Sequence, residues 1–187
     1  MAEPDLFTIK SHVLERYQGS GGEVVVPEGV CAIGREAFYD CATLTRIILP
    51  GSLRRIGKLA FAGCSGLTSV ELPEGLERID GSAFVFCTAL TNVALPGSLW
   101  RMEDNVFRGC AALEAVEVSP QNRYYYSVDG VLFDGNNALI CFPPAKGPAF
   151  SIPPGHNRDR PQCLLWKHRA GSGRASRRAV ENRPERL

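Results

Sequence analysis

Cys41, Cys64, Cys87 and Cys110 stand 23 residues apart and are the first candidates for chemistry in this 187-residue chain. Structural zinc needs four ligands converging tetrahedrally at about 2.3 Å. One thiol per repeat makes a straight column with steps of about 4.8 Å if the repeats stack as strands, and such a column cannot converge. The step lies inside the roughly 4.4–6.8 Å Cα range of a disulfide, but parallel side chains oppose its dihedral angle. The column reads as buried thiols in a core. Cys31, Cys141 and Cys163 lie off it and no C-x-x-C occurs; no metal and no cofactor is expected. Nucleophilic catalysis needs a base beside the nucleophile, and His12, His156 and His168 all fall outside the repeated segment. Glu71 and Glu117 are a conceivable acid–base pair, yet two strand spacings hold them about 9.6 Å apart in water. The glycine-rich pieces at 19–22 and 171–173 lack the Lys-Ser/Thr of a phosphate loop. Catalysis is not expected.

The elements that position these residues form a repeat. Pro27, Pro50, Pro73 and Pro96 keep the 23-residue step, as do Phe38, Phe61, Phe84 and Phe107. Leu44, Leu67, Leu90 and Leu113 keep it too, with Ile47, Val70, Val93 and Val116, and with Ile33, Ile56, Ile79 and Met102. In Leu44-Thr-Arg-Ile-Ile-Leu49 the apolar side chains at 47 and 49 have the period of two of a strand with one buried face. Proline then ends the strand, since it cannot donate to a ladder. One such unit cannot bury its own apolar face, so the units must stack into a solenoid.

The unit L-x-x-I-x-L-P-x-x-L-x-x-I-x-x-x-A-F-x-x-C resembles the bacterial BspA-like, treponeme-type leucine-rich repeat, and the resemblance runs over residues 7–155. It implies a mainly β repeat solenoid with a parallel concave sheet and short helical or 3-10 turns on the convex side. It also implies a non-catalytic interaction or adhesion module. The expected organisation is an N-terminal β-hairpin cap over 1–23 and four repeats over 24–118. A second hairpin at about 124–142 follows, as an insertion within 119–155 that ends in the start of a truncated repeat. Asp129-Gly130 and Asp134-Gly135 are its hairpin turns, because glycine tolerates positive φ.

Strand positions that do not enter the core project from one face. There Val25, Arg46, Ile48, Ser69, Glu71, Asn92, Ala94 and Glu117 are the candidate binding residues for a protein ligand or for self-association. Val25, Ile48 and Ala94 make that face unusually apolar, and clustered exposed apolar groups mark contact sites. Tyr124, Tyr125 and Tyr126 read as packing of the second hairpin onto its rung, with an aromatic contact patch as the alternative.

Residues 1–155 carry 12 Lys and Arg against 17 Asp and Glu, whereas 156–187 carry nine against three. That shift marks the last segment as a disordered basic tail. Two further functions follow as alternatives: self-assembly through an unfinished C-terminal edge near residues 150–153, and nucleic-acid or acidic-surface binding through the arginine-rich tail. No apolar run approaches the roughly 20 residues of a membrane span, and no small-molecule substrate is expected. Free thiols and the absence of a visible secretory signal point to the cytoplasm. The family resemblance points to the cell surface or secretion instead.

Overall fold

Each repeat makes a longer strand, a proline turn and a two-residue strand; the computed structural model, which describes residues 6–147, piles these in register. The truncated repeat and the basic tail expected beyond residue 147 lie outside the described residues. A hairpin of β1 (Phe7–Lys10) and β2 (Val13–Tyr17) opens the chain. The rungs then pair β3 (Gly22–Val25) with β4 (Ala32–Ile33), and β5 (Leu44–Ile48) with β6 (Arg55–Ile56). They continue with β7 (Ser69–Glu71) and β8 (Arg78–Ile79), then β9 (Asn92–Leu95) and β10 (Arg101–Met102). After β11 (Ala115–Val118), three antiparallel strands follow: β12 (Tyr125–Val128), β13 (Val131–Asp134) and β14 (Leu139–Cys141).

The longer strands form a parallel sheet in the order β3-β5-β7-β9-β11, in which Ile47, Val70, Val93 and Val116 align. A second sheet, which the period-two pattern does not reveal, runs β1-β2-β4-β6-β8-β10, antiparallel between β1 and β2 and parallel from β2 onward, and aligns Leu14, Ile33, Ile56, Ile79 and Met102. Its strands are too short to alternate visibly. The proline turns close between the two sheets, with the amides of Leu53, Leu76 and Leu99 donating to Pro50, Pro73 and Pro96 O at 3.1, 2.9 and 3.3 Å. These are the i to i+3 bonds of β-turns whose first residue is the proline.

The convex segments are not helical, contrary to expectation: no helix occurs among the described residues. Their alternate amides bond forward to the next rung, Phe38 N to Ala60 O at 2.8 Å and Asp40 N to Ala62 O at 2.7 Å, with the same bonds from Phe61 to Ala83 and Gly63 to Val85. An amide committed to a neighbouring rung cannot serve an intrahelical bond. The left-handed residues Glu36, Leu59, Ser82 and Asn105 (φ 58–61°), and Asp40, Gly63, Phe86 and Gly109 four positions on, break any helical run. For the non-glycine members this geometry costs about 1–2 kcal/mol each. It recurs at the same two places in all four convex segments.

The interior is a set of columns. Phe38, Phe61, Phe84 and Phe107 stack with ring centroids 5.0, 5.0 and 5.9 Å apart, and Tyr17 continues the stack onto Phe38 at 5.0 Å. The thiols of Cys64, Cys87 and Cys110 donate to Phe38, Phe61 and Phe84 O, each at 3.1 Å. Burial above all pushes the Cys64 thiol up to about 12, so it stays an S–H donor. Cys41, at the end of the column, is half-buried.

The two hairpins turn alike. Ser11-His12 and Asp129-Gly130 each place two successive residues at positive φ (47 and 64°, 51 and 73°), the pattern of a type I′ turn. At the second expected turn the left-handed residue is Asn137 (φ 63°) rather than Gly135. The Asp134 carboxylate there accepts the amides of Asn136 and Ala138, both at 2.9 Å, and sets the turn itself. Where the repeats end, Asn122 stands in the column of Leu53, Leu76 and Leu99. Its side-chain NH2 donates to Pro96 O and Leu99 O at 2.8 and 2.9 Å, while its Oδ1 accepts the amides of Tyr124 and Tyr125 at 2.8 and 2.9 Å.

Candidate functional site

All eight expected binding residues lie exposed on the outer face of the five-stranded sheet. Strand alternation places them there: Val24, Ile47, Val70, Val93 and Val116 point into the core, so their neighbours on either side point out. Register joins them in two rows, Val25, Ile48, Glu71, Ala94 and Glu117 in one, and Glu23, Arg46, Ser69, Asn92 and Ala115 in the other. The Arg46 guanidinium bridges the rows, 3.8 Å from Glu23 and 3.3 Å from Glu71. Val25 and Ile48, at 58% and 38% exposure, are adjacent in register and form an apolar step at the N-terminal end of the face. Glu71 and Glu117 are exposed on separate strands, with no base or nucleophile beside them on their row. The Glu23–Arg46–Glu71 bridge is a feature that sequence columns alone did not show, although Glu23 falls in the Arg46 column.

The second sheet carries a stepped ionic ladder that also went unforeseen. Arg55, Arg78 and Arg101 stack in register on β6, β8 and β10. Acids from the following column, Asp80 and Glu103, lie between them. Asp80 bonds Arg55 at 2.6 Å and Arg78 at 2.5 Å, and Glu103 bonds Arg78 at 2.6 Å. The 23-residue spacing of Arg55, Arg78 and Arg101 was the available signal. Burial alone raises the Asp80 carboxyl, but its hydrogen bonds to Arg55 and Arg78 outweigh that and hold it below the usual carboxylate range. A carboxyl depressed in the folded state stabilises above its unfolded value of about 3.9 and loses that contribution as pH falls through the lower folded value. Asp80→Asn should therefore be less stable than the parent at pH 7, and the gap should close as pH falls below the usual carboxylate range. Urea midpoints across that range measure it, and a gap independent of pH contradicts the ionic account.

The three tyrosines separate. Tyr124 is exposed, Tyr125 Oη accepts the Met102 amide at 2.8 Å, and Tyr126 stacks on Phe133 at 5.5 Å. Between the fourth convex turn and the second hairpin lies a cleft of about 130 Å³, lined by Met102, Phe107, Tyr125, Asp134 and Leu139 among others. His12 Nδ1 lies 3.0 Å from Gly29 O, and His156 and His168 fall outside the described residues. Among the described residues, no three His, Cys, Asp or Glu side chains gather as metal ligands, and no helix is long and apolar enough to cross a membrane.

Compared with known families, residues 8–136 match the BspA type leucine rich repeat region in six copies. A leucine-rich repeat protein from Bacteroides capillosus is 33% identical, with TM-score 0.54 over 60% of this chain and 92% of that one. The pneumococcal vaccine antigen PcpA is 26% identical, with TM-score 0.62 over 75% of this chain; this chain spans 41% of that antigen. The T. pallidum leucine rich repeat protein TpLRR is 32% identical, with TM-score 0.49 over 61% of this chain and 70% of that one. No curated protein matches.

Proposed function

Because this chain belongs to the BspA-type leucine-rich repeat family, we propose that it is a non-catalytic protein-interaction or adhesion module whose contact surface is the outer face of the five-stranded sheet. The observation that carries this reading is the exposed apolar step of Val25 and Ile48, held on a rigid ladder beside a charge, Arg46, that is balanced within the face. Pre-organised backbone and pre-paired charge lower the ordering and desolvation costs that oppose association. Apolar side chains without partners supply the gain, since their burial is worth about 25 cal/mol per Å². Ser69, Asn92 and Ala94 extend the surface with short side chains, which leave room for a partner's own side chains to reach the sheet.

The setting in this reading is cytoplasmic, where free thiols stay reduced; the cell surface is the alternative, and the description of the pneumococcal relative as a vaccine antigen favours it. Replacing Ile48 and Ala94 together by arginine puts two charges on the contact. Quantitative affinity capture with the full chain should show its partners reduced more than tenfold, a loss above about 1.4 kcal/mol. A folded double variant that captures the same proteins at the same yield contradicts the reading.

A further inference from the structure

The five- and six-stranded sheets have four ends, and the described residues finish them unequally. The six-stranded sheet begins with the antiparallel strand β1, and at its last strand Tyr125 Oη takes up the Met102 amide. The last strand of the five-stranded sheet is met by the second hairpin. The Val116 amide donates to Gly130 O and the Ala145 amide to Leu113 O, both at 2.9 Å. Gly130 sits so close that a β-carbon there would come 2.7 Å from the Ala115 β-carbon. The first strand, β3, has β5 as its single strand neighbour among the described residues. The amides of Gly22 and Val26 donate to Thr43 O and Ile48 O of the β5 rung at 2.8 and 3.0 Å. Bonding in a parallel ladder alternates along the strand, so Glu23 and Val25 turn their backbone N–H and C=O groups outward. An unpaired strand edge of this kind is a template for another strand.

We propose that β3 pairs with β3 of a second copy of this chain, antiparallel across a two-fold axis, so that the two five-stranded sheets become one. The closed end of the five-stranded sheet favours this occupant: among the described residues its last strand, β11, is met by the second hairpin, which blocks head-to-tail continuation of that sheet there. A like edge remains, and an isologous contact is self-complementary by symmetry. In the register that sets Glu23 opposite Val25 of the other copy, every outward donor of each β3 meets an outward acceptor. The charge on this edge, Glu23, is partly offset within its own copy by Arg46 at 3.8 Å, a guanidinium it shares with Glu71 at 3.3 Å. Each exposed Val25 side chain then lies opposite Glu23 of the other copy, and the two Val25 side chains are diagonal neighbours about 7–8 Å apart on one face.

Sedimentation equilibrium of the full chain tests the proposal over about 5 to 200 µM, where a weak dimer is concentration-dependent. The mass should rise from 20.4 kDa towards twice that value. Glu23→Pro removes an outward amide and leaves the bonds to β5, and proline is tolerated on an edge strand. Val25→Lys places an edge-blocking charge at an exposed position. Each should remain at the monomer mass, with dimerisation weakened at least tenfold, while circular dichroism shows Val25→Lys folded. A parent chain that stays monomeric throughout overturns the proposal, and so does a dimer that both variants leave unchanged.

Discussion

Phe61→Ala should lower the free energy of unfolding by about 4 kcal/mol, within the roughly 3–5 kcal/mol seen when a fully buried phenylalanine is truncated. Phe61 is 0% exposed and lies between Phe38 and Phe84, with both ring centroids 5.0 Å away and interplanar angles of 18 and 9°. Its removal leaves a cavity that the rungs cannot close, because rung-to-rung hydrogen bonds on both sides fix their spacing: Phe38 N to Ala60 O and Phe61 N to Ala83 O, each at 2.8 Å. In a stack whose units interact with nearest neighbours, a central loss weakens two interfaces. The equivalent change at Phe107, which has one stacked neighbour at 5.9 Å, should cost less. Urea unfolding of the two variants supplies the comparison. Equal losses, or a Phe61 loss below about 1.5 kcal/mol, contradict the view that the aromatic column holds the stack together.

Asn122→Leu is the second change expected to have a large effect, and at first sight it restores the repeat. Leucine is what the column supplies at 53, 76 and 99. Yet the substitution removes every hydrogen bond of the Asn122 amide, two donated to Pro96 and Leu99 O and two accepted from Tyr124 and Tyr125 N. At about 1 kcal/mol per bond, less what water recovers at this half-buried site, the loss should be about 3 kcal/mol. It should also be local. Amide exchange should quicken across β12 to β14, which rest on this junction, and stay slow in β5 to β9. A leucine variant as stable as the parent means that side-chain packing, not the amide, makes the junction.

Much of this architecture was legible because a repeat multiplies its own signal. Four aligned leucines at 44, 67, 90 and 113 say what one leucine cannot, and each proved fully buried. The exposed columns followed from alternation, so Val25, Ile48, Glu71, Ala94 and Glu117 were placed on one row before any geometry was known. Signals shorter than a period were lost. A two-residue strand such as Arg55–Ile56 has no alternation to read, so the second sheet and its ladder of Arg55, Asp80, Arg78 and Glu103 were missed. The turn preference misled at Asp134-Gly135, where a carboxylate bonding two amides moved the left-handed residue to Asn137. The convex segments misled in the same way, because Ala-Phe-x-x-Cys is compatible with a helical turn until a neighbouring rung claims its amides.

What the amino acids determined by themselves is periodicity: which side chains are equivalent, which are buried, and that no unit can fold alone. These are properties of spacing and hydrophobicity, carried by each residue wherever its neighbours sit. Only the tertiary structure decided where the hydrogen bonds and charges go. Asp80 joins two arginines, Asn122 ties off the repeat and β3, among the described residues, keeps an outward edge, because each depends on which groups lie within about 3 Å. A hydrogen bond forms between neighbours in space, and the order of residues along the chain names those neighbours only where the repeat is unbroken.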